Sequence, residues 1–268
     1  MGSLKAIFSK RFGMQFQPIV DMKTLQLARY EALMRPLSFT GDTEALVNRM
    51  EKSGEISEFD LWVLDTVINT LKQIPDGPEV AVNLSAKSLC DPLFHEEANW
   101  LLSRKPKDVK IEFEITESEP IRDMRLARAF VDLVKSQGCK VGQDDFGTGY
   151  AKFSVVQDLN LDYLKLSAKL TTAIQTSASA QRLITTAVNA CHARGMKVVA
   201  EHIDNPMQYA WLRDAGIDHG QGWLFSKAGK ELRREMCYKE TLRAAVEKDR
   251  EGAVPSAKVI TFGSFNPP

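Results

Sequence analysis

Asp144 and Asp145 stand side by side at the end of the run Lys140-Val141-Gly142-Gln143, and Gly147 and Gly149 follow directly. Adjacent carboxylates at the mouth of an apolar strand repel each other and resist desolvation, so a fold keeps such a pair most readily when a cation neutralises it. Oxygen donors without sulfur or imidazole suit hard ions, here Mg²⁺ or Mn²⁺. The two glycines let the loop beyond the pair take up positive φ beside a ligand. Other apolar runs are punctuated in the same way, by Glu31, Asn83, Glu114, Lys165, Glu201 and Gln221. Any one of these has an ordinary explanation, a solvated edge or a closed turn. A carboxylate, amide or ammonium on nearly every strand has no comparably good one. Glu31, Asn83, Glu114 and Asp144 could supply oxygen ligands to one cation, with Asp144 or Asp145 bridging to a second. Two ions about 4 Å apart polarise a phosphate and deprotonate a bridging water for in-line attack. Lys165 could hold that water or offset charge in the transition state; Glu201 could take the proton or bind the second ion.

Such side chains converge only if their strands lie in one sheet. Strand-like runs are expected at Gln15–Met22, Leu27–Met34, Val80–Leu84, Lys110–Ile115, Lys140–Asp144, Tyr163–Leu166, Lys197–Ala200 and near Gly222–Phe225. Helical patterns lie between them, near Thr43–Lys52, Ser57–Ile74, Phe94–Ser103, Met124–Ser136, Ala151–Leu159, Ser179–Arg194 and Pro206–Ala215. Gln221 is expected to open the last strand, and the charged segment from Gly229 to about Arg250 to be helical. Pro75-Asp76-Gly77-Pro78 stops one helix and Gly195 another. This alternation predicts an α/β fold, a closed β/α barrel with a doubly wound sheet as the alternative. In such barrels the active site lies at the carboxyl ends of the strands, where the polar residues above fall.

Gln17-Pro18-Ile19-Val20-Asp21, Tyr30-Glu31-Ala32-Leu33-Met34-Arg35 and Val82-Asn83-Leu84-Ser85 resemble the signatures of EAL-domain cyclic-di-GMP phosphodiesterases. So do Glu114-Ile115-Thr116-Glu117-Ser118, Asp144 to Tyr150, Leu164-Lys165-Leu166, Ala200-Glu201 and Gln221 to Lys227, all in family order over roughly residues 12 to 230. A bare Glu-Ala-Leu carries nothing: Glu44-Ala45-Leu46 repeats the tripeptide inside a predicted helix. The resemblance implies a modified TIM-like (β/α)8 barrel with one antiparallel strand, hydrolysing cyclic di-GMP to linear pGpG with two Mg²⁺ or Mn²⁺ ions per site. By position it makes Glu31, Asn83, Glu114 and Asp144 metal ligands, with Asp145 at the second metal and Glu201 there or acting as base. Lys165 and Gln221 would place the attacking water, Gln17 and Arg35 would contact the nucleotide, and Glu117 would brace the glycine loop. A homodimer, with the loop and its following helix coupling dimerisation to activity, and an upstream sensor or cyclase domain are further implications. The departures are Leu25 and Ala28 where glycines are usual, Pro36 for Trp, Ser167 for Asp, His202 for Gly and Asp204 for Glu. His202 is expected to face outward. The competing reading is a catalytically weak or inactive receptor for the same nucleotide. Retention of every position read as a ligand favours the enzyme.

The 268 residues have 35 basic and 35 acidic side chains and 44% hydrophobic content, enough for a sizeable core and without a field that would favour DNA, RNA or an acidic membrane. Cys90, Cys139, Cys191 and Cys237 form no CxxC pair and read as reduced thiols. No apolar run approaches the roughly 18 residues of a membrane span, so a cytoplasmic bacterial protein is expected. Residues 1–11 read as an expression remnant and lead-in, 12–250 as one domain, and 251–268 as a loose tail.

Overall fold

The computed structural model of the chain describes residues 2–37, 43–116, 120–148 and 158–252. Eight strands close a barrel in chain order: β1 (Phe12–Asp21), β2 (Leu27–Pro36), β3 (Val80–Leu84), β4 (Ile111–Ile115), β5 (Lys140–Phe146), β6 (Tyr163–Leu166), β7 (Lys197–Ala200) and β8 (His219–Gly220). β2 through β8 pair parallel, whereas β1 is antiparallel to both β2 and β8. The architecture is therefore the closed α/β barrel with one reversed strand. A tight turn causes the reversal, since strands joined by a hairpin must run antiparallel. Asp21 Oδ1 accepts the backbone N–H groups of Lys23 and Thr24 at 3.0 and 2.7 Å and holds that turn shut.

The helices are α1 (Gly2–Arg11), α2 (Thr43–Ser53), α3 (Ile56–Leu71), α4 (Ala86–Leu89), α5 (Pro92–Ser103), α6 (Met124–Ser136), α7 (Ala168–Ala173), α8 (Ala178–His192), α9 (Pro206–Asp214) and α10 (Lys239–Gly252). Side-chain caps start several of them: Asp91 for α5, Asp123 for α6, Ser177 for α8 and Asn205 for α9. Ser85 and Ser167, the first residues beyond β3 and β6, cap α4 and α7 and turn the chain immediately above the strand ends. Glu44-Ala45-Leu46 lies in α2, as expected. Among the described residues no helix is long and apolar enough to cross a membrane, and the four cysteines are free.

Three local expectations are corrected. Gly222–Phe225 does not form the last strand: Phe225 and Ser226 N–H both donate to the Gly222 carbonyl, and Leu224 N–H donates to Ile203, so this apolar stretch curls. The eighth strand is instead the two-residue β8, and Gln221 follows it rather than opening it. The charged segment from Gly229 becomes helical only at Lys239; before that it runs along the barrel, with Gly229 bridged to Phe16 and Cys237 to Gln26. Residues 2–11 form a helix of the domain, whose Phe8 ring packs 5.4 to 6.2 Å from those of Phe12, Phe59 and Trp62. The 151–157 part of the short helical piece and residues 253–268 lie outside the described residues.

Below the strand ends the barrel interior is itself ionic. Arg29 Nε lies 2.7 Å from Glu112 Oε2, both groups almost wholly buried, and Lys140 reaches Glu112 and Glu79 at 3.0 and 2.7 Å. Burial, reinforced by the Arg29 charge, pushes His219 down to about 4; its neutral Nδ1 accepts from Arg29 at 3.0 Å.

Candidate active site and metal centre

Neighbouring residues on a regular strand point to opposite faces, so Asp144 and Asp145 could not both enter one site from an ideal β5. The strand is irregular at this point. Its register against β6 shifts between Gln143 and Phe146, and Asp145 adopts a left-handed φ of 57°, which Asp tolerates better than most residues. The bulge brings both carboxylates to the same side, with Asp145 N–H donating to Asp144 Oδ1 at 2.9 Å. Gly147 follows at φ 102° and continues the bend; Gly149 lies outside the described residues.

Lys165 occupies the centre of the site. From β6 its buried Nζ lies 2.9 Å from Glu31 Oε2, 3.1 Å from Glu114 Oε2, 3.3 Å from Asp144 Oδ1 and 3.9 Å from Glu201 Oε2. Glu31 also accepts from Asn83 Nδ2 at Oε1 and from Gln221 Nε2 at Oε2, both at 2.9 Å. Two groups of carboxylates result, Glu31 with Glu114 and Asp144, and Asp144 with Asp145 and Glu201. In each, one oxygen per residue lies within 4.8 Å of the others. Asp144 is common to both, the shared position expected of a bridging ligand.

One ammonium does not balance four carboxylates in a dry site. Burial, and then mutual repulsion working against the pull of Lys165, pushes Glu114 and Asp144 up to about 8 and Glu201 to about 7. Glu31 is the exception: burial opposes its charge, but Lys165, Asn83 and Gln221 together hold it below the usual carboxylate range. Lys165 is raised, since the surrounding carboxylates outweigh its own burial. The surplus negative charge must be met by protons or by cations. An all-oxygen donor set fits Mg²⁺ or Mn²⁺. Gln221 Oε1 supports the same fit, because it is buried with no hydrogen-bond partner among the described residues.

The remaining expected positions divide. Gln17 pairs in register with Glu31 across β1 and β2 and donates to the Ser226 carbonyl at 3.2 Å. Arg35, four residues beyond Glu31 on β2, is tethered by Gln15 Oε1 and the Met34 carbonyl. It lines, with Asn83 and Asp60, a cavity of about 190 Å³ beside the site. Glu117 lies outside the described residues. Asp204 is not at the centre: its Oδ1 accepts Trp223 N–H at 3.0 Å and braces the loop after Gln221. His202 faces outward, 55% exposed. Two groups went unread. Asp60 on α3 is buried and accepts from Ser85 N–H and Ser88 Oγ at 3.0 and 2.7 Å; a carboxylate inside the apolar run Phe59 to Leu64 was the available signal. Tyr163 donates its hydroxyl to Glu114 Oε1 at 3.1 Å, and its place two residues before Lys165 put it on the same strand face.

The EAL domain family model matches residues 3–228. The chain belongs to the EAL domain family. The EAL domain is 30% identical over 226 residues to the cyclic di-GMP phosphodiesterase PA2567 of Pseudomonas aeruginosa, covering 81% of this chain and 38% of the relative. It is 28% identical over 254 residues to the cyclic di-GMP phosphodiesterase PdeR of Escherichia coli, covering 90% and 37%. The chain thus spans little more than a third of the length of these curated relatives. A solved structure of Klebsiella pneumoniae BlrP1 in complex with calcium and cyclic di-GMP superposes with a TM-score of 0.73 at 26% identity, over 85% of this chain and 58% of that one.

Two departures from the EAL pattern acquire a physical meaning. Leu25 and His202, both at positions where the family uses glycine, have φ of 59° and 60°. A side chain in the left-handed region costs about 1–2 kcal/mol. His202 offsets little of that, its imidazole lying in solvent 3.6 Å from Asp204. His202→Gly is therefore expected to raise Tm by about 1–3 °C despite the entropy glycine adds to the unfolded chain, measured by calorimetry. Leu25 differs because it is 92% buried, and about 1.5–3 kcal/mol of burial outweighs the strain.

Proposed function

We propose that this EAL domain hydrolyses cyclic di-GMP to linear pGpG with two divalent cations, Mg²⁺ or Mn²⁺. The observation that carries the reading is the pair of carboxylate groups sharing Asp144 around a buried lysine. Glu31, Asn83, Glu114 and Asp144 would hold the first cation, and Asp144, Asp145 and Glu201 the second. Cations held by these residues would supply neutralisation of the phosphate charge and a lowered pKa for a water at the site.

The chain's own groups do the positioning. Gln221 directs its amide N–H to Glu31 and leaves Oε1 to accept a hydrogen bond from the attacking water. Lys165 turns the lone pairs of Glu31 and Glu114 and stays charged through the reaction, so it offsets charge developing on the phosphoryl oxygens. Gln17 and Arg35 hold the nucleotide, each oriented by a neighbour before substrate arrives. Glu117 braces the glycine loop, and a homodimer and an upstream signalling domain belong to the same reading.

Incubation with cyclic di-GMP and Mn²⁺ or Mg²⁺, with products separated by chromatography, tests it. Linear pGpG should accumulate catalytically, and excess EDTA should stop it. Stoichiometric binding of cyclic di-GMP without product would make the domain a receptor.

A further inference from the structure

The hydroxyl of Tyr163 lies 3.1 Å from Glu114 Oε1, while the other oxygen of that carboxylate lies 3.1 Å from Lys165 Nζ. Each Glu114 oxygen thus has a set direction in a wholly buried site. In this pair the Tyr163 hydroxyl donates and Glu114 Oε1 accepts.

The ring that carries this hydroxyl has no freedom to move. Gly142 is its register partner on β5, and a Cβ there would stand 2.2 Å from the ring, so the absent side chain is what admits the tyrosine. On another side the Arg29 guanidinium lies 4.5 Å from the ring centroid, itself fixed by Glu112 at 2.7 Å and His219 at 3.0 Å. Ile19 and Val199 complete the packing inside the barrel. The ionic floor of the barrel is therefore connected through one rigid aromatic to a carboxylate at its mouth.

We infer that Tyr163 is a positioning residue for divalent-cation binding: its hydroxyl fixes the rotation of Glu114 so that Oε2 faces the cation and Lys165, and Gly142 and Arg29 hold it in place. Groups that orient a metal's carboxylate ligand in this way set metal affinity, and their loss weakens it about 10- to 100-fold. The inference rests on the metal-dependent reading of the same carboxylates.

Tyr163→Phe tests it, because the ring stays in its slot and only the donor is lost. Mn²⁺ binding to nucleotide-free protein is measured by calorimetry on wild type, Tyr163→Phe and Glu31→Ala, with Tm in EDTA recorded for each. The expected result is a dissociation constant for Mn²⁺ raised at least 10-fold in Tyr163→Phe. With cyclic di-GMP, the Mn²⁺ concentration for half-maximal rate should rise by a similar factor and KM for the nucleotide should stay unchanged. Mn²⁺ binding by Tyr163→Phe as tight as by wild type would overturn the role of Tyr163, as would a lower Tm in EDTA with unchanged Mn²⁺ affinity, which is the mark of a packing role alone. Failure of wild type itself to bind Mn²⁺ would overturn the metal reading and the inference built on it.

Discussion

Glu31→Ala is expected to lower kcat for pGpG formation by about 10³-fold or more, with KM for cyclic di-GMP changed only slightly. Glu31 is the one carboxylate in the site held below its ordinary range, so it is charged before any cation arrives. It also receives three hydrogen bonds, from Asn83, Lys165 and Gln221, and its removal frees all three donors at once. Gln221 then has nothing to fix its amide, and on the proposed reading a cation loses a ligand. Gln17 and Arg35, placed by Ser226 and Gln15, keep their positions, so nucleotide binding through the contacts proposed for them should survive. Initial rates at saturating Mn²⁺, with binding of cyclic di-GMP measured separately, decide the matter. A rate above one tenth of wild type would show that hydrolysis takes place elsewhere.

Lys165→Met should affect stability as well as rate. In the metal-free protein Lys165 Nζ is the ammonium shared by Glu31, Glu114, Asp144 and Glu201. Methionine fills the space and leaves the carboxylates unpaired in a dry site, a change that costs about 3–5 kcal/mol when one partner of a buried charge set is removed. In a chain of this size the loss corresponds to a fall in Tm of roughly 6–20 °C. The carboxylates can escape part of the cost by holding protons. Glu114 and Asp144, at about 8 even with the lysine present, bind protons in the folded state that their ordinary values would release. The stability so gained is present below the ordinary carboxylate range and is lost as pH rises through 8. The deficit of Lys165→Met is therefore expected to be smaller at pH 6 than at pH 9. Added Mn²⁺ should raise its Tm more than that of wild type, because the cations replace the missing positive charge. Calorimetry in EDTA and in Mn²⁺ at both pH values checks this; equal Tm for the two proteins at pH 9 in EDTA would refute it.

Much of the fold is readable from local pattern. Val80–Leu84 is short, apolar and rich in β-branched residues, as a strand buried on both faces of a parallel barrel must be, and Ile111–Ile115 alternates apolar residues with Glu112 and Glu114 at strand period. β8 escapes that logic: a two-residue strand of His219 and Gly220 has no apolar pattern to find, and the apolar residues just beyond it are committed to a turn. α1 lacks an amphipathic stripe, and it is held by the aromatic contacts of Phe8 and by Trp62 Nε1–H, which donates to Ser9 Oγ at 3.0 Å. Such packing against α3 links residues some fifty positions apart.

The donor set was likewise legible, since a carboxylate or lysine inside an apolar strand is anomalous wherever the strand ends up. Glu31, Glu114, Asp144 and Lys165 all announce themselves in this way, and the strand order that unites them follows from sequence order in a closed barrel. The finer arrangement depended on torsion and register. Asp145 joins Asp144 only because a bulge turns its backbone left-handed. Asp204, alike in charge and close in sequence to Glu201, is drawn away by the Trp223 amide. Tyr163 reaches Glu114 only because the residue opposite it has no side chain. Residue chemistry is local and can be read along the chain. The sharing of Asp144 between two groups of carboxylates is fixed where strands distant in sequence close on one another, and that only the tertiary structure decides.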